Sequence, residues 1–128
     1  MAHVLALMDD LMFLSRIREA ARGPGLEVRS VRGLPELLAA CRPAPRVIFL
    51  DLDAARLPVA EVLAALRSDP ELAAIPRVGF VSHVHAEKAA AARAAGCTRV
   101  VARGAFVKEL PSLLAPAPSA DPESPTVT

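Results

Sequence analysis

Short apolar runs of strand length alternate with helical patterns along the chain. The third run is apolar throughout, which is typical of a central parallel strand that is covered on both faces. The second run alternates apolar and polar residues, as a half-exposed edge strand does. The predicted strands are residues 4–8, 26–31, 47–50, 78–81 and 100–102.

Apolar residues spaced three and four apart follow each run and predict a helix after every strand. The segment Gly23-Pro24-Gly25 ends the first helix, and Gly96 ends the Ala-rich fourth helix. The other helical stripes are Leu11, Leu14, Ile17 and Ala21; Leu34, Leu37, Leu38 and Cys41; Val59, Val62, Leu63 and Leu66; and Phe106, Leu110, Leu113 and Leu114.

Repeated strand–helix units predict an α/β fold: a doubly wound, five-stranded parallel sheet in the order 2-1-3-4-5, with helices on both faces. We expect one folded domain over residues 1–115. The composition then changes to Pro, Ser, Ala and Thr, and residues 116–128 are predicted to be a disordered tail.

Composition narrows the classes of function. Fifteen basic and fourteen acidic residues give a net charge of +1, without a basic stripe, and there is no Trp or Tyr on which bases could stack.

The N-terminal apolar stretch ends at Asp9 and is too short for a signal peptide or a membrane span. Cys41 and Cys97 are interpreted as buried, reduced thiols. We therefore expect a cytoplasmic protein that binds neither nucleic acid nor membrane.

Acidic residues follow two of the predicted strands. Asp9 and Asp10 end the first strand, and Asp51 ends the third. In open parallel sheets, ligands bind beyond the carboxyl ends of the strands where the strand order reverses, here between strands one and three. Three carboxylates converging there would repel one another unless a cation neutralised them, and oxygen ligands with room for water suit Mg²⁺. The alternative is that one of Asp9 and Asp10 only caps the following helix.

Four segments carry a resemblance to a known family. They read LMDD at residues 7–10, IFLD at residues 48–51, VGFVS at residues 78–82 and AGCTRVVARG at residues 95–104. In order, they are similar to the acidic pair, the acceptor aspartate, the Thr/Ser strand and the Lys-Pro strand of the receiver domains of two-component response regulators. The resemblance covers about residues 3–115.

The resemblance implies a role for each site residue. Asp51 would accept a phosphoryl group from a sensor histidine kinase, and Arg103 would stand in place of the usual Lys. Ser82 would be a phosphate contact. Asp9, Asp10 and Asp51, with the backbone carbonyl of Asp53, would hold Mg²⁺.

The same resemblance implies a stand-alone signalling domain rather than an enzyme, acting through a separate output protein. The face formed by the fourth helix, the fifth strand and the fifth helix is then a candidate surface for a partner or for a homodimer.

The chain also departs from the family pattern. Without a one-residue shift, Val81 rather than Ser82 takes the Thr/Ser position, and Val100 replaces the switch aromatic. Ala54-Ala55 replaces the usual Met-Pro, and Gly104 replaces the Pro after the Lys position. A second hypothesis follows: a pseudo-receiver that works as a protein–protein interaction module without phosphorylation.

Two further patterns suggest other chemistry. Asp51 and Asp53 resemble the DxD motif of haloacid dehalogenase phosphatases, with Ser82 as a phosphate contact, but the downstream acidic pair that this superfamily needs is missing. His83 and His85 have metal-ligand spacing without a third ligand nearby and are interpreted as surface-loop residues. His3 is expected to be idle at a frayed end.

Overall fold

Five parallel strands pair in one sheet in the order 2-1-3-4-5, which confirms the predicted topology. The computed structural model describes residues 2–54, 56–82 and 86–115. The strands are β1 (His3–Leu7), β2 (Glu27–Val31), β3 (Ile48–Asp51), β4 (Arg77–Val81) and β5 (Arg99–Ala102). The helices are α1 (Leu11–Arg22), α2 (Leu34–Ala40), α3 (Val59–Ser68), α4 (Ala86–Ala95) and α5 (Arg103–Leu114).

The helices cover both faces of the sheet, and the apolar side chains of β3 alternate between two cores. Ile48 and Leu50 pack with the buried aliphatic residues of α2, α3 and α4. Phe49 points to the opposite face and packs with residues of α1 and α5. Burial on both faces explains why this strand is apolar at every position before Asp51.

All four phenylalanines of the chain pack together on the α1/α5 face. Phe106 contacts the other three, with ring centroids 5.2 Å from Phe13, 4.9 Å from Phe49 and 4.8 Å from Phe80. Phe13 also lies 4.8 Å from Phe80. These separations are those of favourable aromatic pairs. The α2/α3/α4 face is therefore aliphatic, and the other face has an aromatic centre.

The expectation that His3 is idle at a frayed end is wrong. His3 begins β1 and is 2% exposed. Its Nε2 donates a hydrogen bond of 2.8 Å to the carbonyl oxygen of Ala40, the last residue of α2. A buried polar ring requires such a partner. The sequence showed only that His3 is near the terminus, whereas strand pairing decides its burial.

Arg77, a buried arginine at the start of β4, connects the amino-terminal end of the sheet to the segments beside it. Arg77 is 6% exposed and donates to the carbonyl oxygens of Gly96 (3.2 Å), Leu72 (3.0 Å) and Ala73 (2.9 Å). Burial lowers the pKa of Arg77, and its Nε has no hydrogen-bond partner within the described residues. These contacts tie the end of α4 and the α3–β4 connection to the sheet.

Both cysteines are buried and free, as predicted for reduced thiols. Burial raises the pKa of the Cys41 and Cys97 thiols. Across the described part of the chain, no helix is long and apolar enough to span a membrane. The predictions for Ala55, His83, His85 and the tail at residues 116–128 lie outside the described residues.

Arg77→Met should destabilise the fold by about 2–4 kcal/mol, because it leaves three carbonyl oxygens without their charged donor. Urea unfolding followed by far-UV circular dichroism measures this free energy. The matched control is Arg99→Met, which removes a surface ion pair with Glu109 and should change stability by about 1 kcal/mol or less. Equal destabilisation by the two substitutions would contradict the role assigned to Arg77.

Candidate functional site

Three elements bring charged side chains together where β1 and β3 end. Asp51 is the last residue of β3, Asp10 precedes α1, and Arg103 is the first residue of α5, directly after β5. Because the strands are parallel, their carboxyl ends lie at the same end of the sheet. β1 and β3 flank the point where the strand order reverses. The topology therefore brings Asp10, Asp51 and Arg103 to the end of the sheet at which the sequence predicted Asp9, Asp10 and Asp51 to lie.

Asp51 is the most buried carboxyl group of the site, at 3% exposed. Its Oδ1 accepts a hydrogen bond of 3.0 Å from the backbone N–H of Asp53, and its Oδ2 accepts one of 3.1 Å from Arg103 Nη2. Burial raises the pKa of Asp51, and the charges of Asp53 and Asp9 raise it further. The Asp53 N–H and Arg103 oppose this rise without cancelling it.

Arg103 bridges two carboxylates. Its Nη1 donates to Asp10 Oδ2 at 3.2 Å while Nη2 donates to Asp51 Oδ2. The guanidinium carbon also lies 4.9 Å from the ring centroid of Phe13 and 5.1 Å from that of Phe80. A planar guanidinium can contact aromatic rings and donate to two carboxylates together, which a lysine ammonium cannot do in the same way. The aromatic contacts were not predicted, because no local pattern links Phe13 or Phe80 to Arg103.

Asp10 and Asp9 have different surroundings. Asp10 Oδ1 accepts a hydrogen bond of 3.0 Å from Phe13 N and so caps α1, while its Oδ2 faces Arg103. Asp9 Oδ2 lies 3.6 Å from Arg32 Nη2. Of the three carboxylates expected in one crevice, the structure thus joins Asp10 and Asp51 through one cation and pairs Asp9 with another. Asp10 is both a cap and a member of the site.

Asp10 and Asp51 carry carboxylate oxygens, the ligand type that a hard divalent cation such as Mg²⁺ takes in proteins. Asp10 and Asp51 offer carboxylate oxygens on either side of one positive group, and Mg²⁺ binds proteins through one or two carboxylates plus water. Within residues 2–54, 56–82 and 86–115, no group of three or more His, Cys, Asp or Glu side chains is arranged to hold a metal. Arg103 places a positive charge between Asp10 and Asp51. The Mg²⁺ site, including the Asp53 carbonyl, stays a prediction.

Ser82 binds Asp53 rather than Asp51. The carboxylate oxygen Oδ2 of Asp53 accepts from Ser82 N at 2.6 Å and from Ser82 Oγ at 2.9 Å. Asp53 Oδ1 accepts from Lys88 Nζ at 2.8 Å. The Lys88 ammonium, followed by the two Ser82 donors, lowers the pKa of Asp53 to about 2. The sequence pointed to the Asp53 backbone as a metal ligand and to its side chain as part of a DxD motif, but nothing local indicated that this carboxylate pairs with Lys88.

Val81 and Val100, which the sequence resemblance aligns without a shift to the Thr/Ser and aromatic positions of receiver domains, are buried. Val81 is the last residue of β4 and is 1% exposed, and Val100 in β5 is 8% exposed. Both belong to the aliphatic core. Neither side chain carries a polar group, so neither can form a hydrogen bond that responds to a change of charge at Asp51.

No protein-family model matches the sequence, and no curated protein matches it significantly. Several solved structures are similar to the chain. A response regulator from Hahella chejuensis has a TM-score of 0.78 and 20% identity, over 89% of this chain and 92% of that one. The Mn²⁺-bound form of response regulator Rcp1 has a TM-score of 0.72 and 18% identity, over 88% of this chain and 91% of that one.

A third similar structure is that of the phosphorylated cyanobacterial phytochrome response regulator RcpA. Its TM-score is 0.71 and its identity 24%, over 88% of each chain. Likeness at these identities establishes the fold. The chain has the flavodoxin-like fold of response-regulator receiver domains, as the sequence resemblance implied.

The stabilising contribution of the Asp53 carboxylate should be lost at low pH. Because its folded-state pKa is lowered from 3.8 to about 2, the contribution is present above pH 3.8 and disappears as the pH falls towards about 2. The difference in unfolding free energy between the wild type and Asp53→Asn should therefore shrink across this window. A difference that stays constant would contradict this assignment. The same comparison in a Lys88→Met protein should show a weaker pH dependence, because Lys88 is the main cause of the lowered pKa of Asp53.

Arg103→Ala should raise the pKa of Asp51 further above its ordinary value, because burial remains while the neutralising guanidinium is lost. The carboxyl ¹³C resonance of Asp51, followed by NMR as a function of pH, measures this change. Arg18→Ala, at an exposed position of α1, is the control and should leave the titration unchanged. An unchanged Asp51 pKa in Arg103→Ala would show that the guanidinium does not balance this carboxylate.

Proposed function

We propose that this chain is a receiver domain that is phosphorylated on Asp51 by a histidine kinase in a Mg²⁺-dependent phosphorelay. The observation that carries the proposal is the Asp51 carboxylate at the end of β3, with its Oδ2 3.1 Å from Arg103 and with Asp10 on the same guanidinium. An acceptor carboxylate beside groups that can neutralise a phosphoryl charge is what phosphoryl transfer to aspartate needs.

The proposed step is nucleophilic attack by an ionised Asp51 oxygen on the phosphorus of a phosphohistidine. The new P–O bond forms as the P–N bond breaks, its electron pair goes to the imidazole nitrogen, and that nitrogen takes a proton from water. The product is an acyl phosphate on Asp51. Arg103, already next to Asp51 Oδ2, would donate to a phosphoryl oxygen.

Mg²⁺, when bound, would offset negative charge on the phosphoryl oxygens. The residues proposed to hold it are Asp9, Asp10, Asp51 and the carbonyl of Asp53, with Ser82 as a phosphate contact once it leaves Asp53. Two comparisons support this chemistry, since one similar response regulator is described as Mn²⁺-bound and another as phosphorylated.

An exposed apolar pair beside the site supports docking of a partner protein. Leu11 is 78% exposed and Met12 is 75% exposed, directly after Asp9 and Asp10. Large apolar side chains exposed together often mark interaction sites. We propose that a sensor histidine kinase contacts this pair while presenting its phosphohistidine to Asp51.

The remaining features of the proposal concern output. The domain would act in the cytoplasm on an output partner, without catalytic turnover and without binding nucleic acid. The surface of α4, β5 and α5 would contact that partner or a second copy of the chain.

Specific contacts also favour the second candidate, a pseudo-receiver that acts only as a protein–protein interaction module. Arg103 already forms ion pairs with Asp51 and Asp10, Ser82 is held by Asp53, and Val81 and Val100 are buried in the core. In such a site the carboxylates would serve only to pair with Arg103. The surface presented to the partner would not change with phosphorylation.

Incubation with Mg²⁺ and phosphoramidate should add one phosphoryl group, detected by the mass of the intact protein. Asp51→Asn should abolish the adduct, because the amide is not a nucleophile at neutral pH. Asp69→Asn, which changes a surface aspartate paired with Arg42, is the matched control and should keep the adduct.

The outcomes separate the candidate functions. An adduct that requires Asp51 and Mg²⁺ supports the receiver. Absence of an adduct, together with no Mg²⁺ affinity by calorimetry, would leave the pseudo-receiver. Sustained hydrolysis of a phosphomonoester would instead indicate the phosphatase chemistry suggested by Asp51 and Asp53.

A further inference from the structure

Asp10, Phe13 and Arg103 form a closed cycle of contacts at the carboxyl end of the sheet. Asp10 Oδ1 accepts the backbone N–H of Phe13 at 3.0 Å, and Asp10 Oδ2 accepts Arg103 Nη1 at 3.2 Å. The cycle closes because the guanidinium carbon of Arg103 lies 4.9 Å from the centroid of the Phe13 ring. Phe13 therefore binds the capping carboxylate through its backbone and contacts the cation through its side chain.

The hydrogen bonds of Arg103 restrain only one edge of its guanidinium. Nη1 and Nη2 donate to Asp10 and Asp51, which leaves the flat faces of the group without a polar contact from these residues. The side chain of Arg103 is 27% exposed and that of Asp10 is 40% exposed, so water competes for the donors of this pair. Ion pairs of this kind contribute little to holding a long side chain in one conformation.

Two phenylalanine rings restrain the guanidinium further. Its carbon lies 4.9 Å from the Phe13 centroid and 5.1 Å from the Phe80 centroid, within the distance of about 6 Å at which an aromatic face attracts a cation. The Phe13 ring is itself fixed, because it stacks on Phe106 at 5.2 Å and lies 4.8 Å from Phe80. Arg103 thus lies against a ring whose orientation the core determines.

We propose that Phe13 is a positioning residue for phosphoryl transfer to Asp51, because its ring holds the Arg103 guanidinium where that group can donate to a phosphoryl oxygen. The role in transfer rests on the proposed function, whereas the contact with Arg103 does not. An aliphatic side chain could fill the same space, but only an aromatic face attracts the cation. The ring also favours Arg over Lys at position 103, since a lysine ammonium has no flat face to lie on it.

The first test follows the Arg103 guanidinium by ¹⁵N and ¹³C NMR of the full chain, without metal or phosphodonor. The measured quantity is the rate of rotation about the Nε–Cζ bond, and Arg103→Lys identifies the signals by removing them. Phe13→Leu should speed this rotation about three- to tenfold, as expected when a cation–π contact is lost. Phe13→Tyr keeps an aromatic face and should leave the rate near that of the wild type.

Phe49→Leu is the matched control. Phe49 packs on Phe106 in the same aromatic cluster but is not one of the two described rings that contact Arg103. Both substitutions remove a ring from the same core, so a general loosening of the core would affect both. Phe49→Leu should leave the Arg103 rotation unchanged. Far-UV circular dichroism checks the fold, and Phe13→Met is a second non-aromatic variant of similar volume if Phe13→Leu does not fold.

The second test measures the rate of phosphorylation by phosphoramidate and Mg²⁺, from the mass of the intact protein over time. Phe13→Leu should slow formation of the adduct about three- to tenfold, and Phe13→Tyr should keep the wild-type rate. In an Arg103→Lys protein, adding Phe13→Leu should change the rate by about twofold or less, because no flat cation lies on the ring.

Defined results would overturn the proposal. Unchanged Arg103 rotation in Phe13→Leu, or an equal change in Phe49→Leu, would show that the Phe13 ring does not hold the cation. Equal slowing of phosphorylation by Phe13→Leu with Arg or Lys at position 103 would show that the ring only supports the core. A wild-type chain that takes up no phosphoryl group would contradict the proposed function, and the NMR measurement would still decide whether Phe13 holds Arg103.

Discussion

The arrangement of charged side chains at the carboxyl end of the sheet depends on one buried carboxyl group, that of Asp51. Asp51 is withdrawn from water, and an ionised carboxylate in such a position is costly unless donors and positive charge compensate it. The Asp53 N–H and Arg103 supply this compensation, and Arg103 also serves Asp10. The result is a site in which Arg103 pairs with both carboxylates and opposes, without cancelling, the rise in the pKa of Asp51. Any phosphoryl group or metal that enters must exchange contacts with Arg103 rather than fill a vacant place.

The position of that guanidinium is set by the core. Phe13 and Phe80 lie beneath Arg103, and both belong to the aromatic cluster centred on Phe106. The packing of the α1/α5 face therefore positions the cation that balances Asp51. Arginine suits this place better than lysine, because its flat charged group can lie against rings while donating in two directions.

Asp53 connects the site to the aliphatic face of the sheet. Its backbone binds Asp51, whereas its carboxylate holds Ser82 beyond the end of β4 and Lys88 on α4. The ends of β3 and β4 and the start of α4 are thereby joined by a short chain of hydrogen bonds. Buried valines at positions 81 and 100 take no part in it. Asp53 is thus the residue that contacts both Asp51 and α4.

The sequence by itself determined the fold, the burial of β3 and the edge at which Asp9, Asp10 and Asp51 lie. These follow from hydrophobic periodicity and parallel topology, which are local or repeated along the chain. It did not reveal the partners of those side chains. Arg103 and Asp10 are far apart in sequence, as are Lys88 and Asp53, and His3 is buried only because β1 pairs within the sheet beside α2. Only the tertiary structure decided these pairings, because contacts between distant residues depend on how helices pack across the sheet.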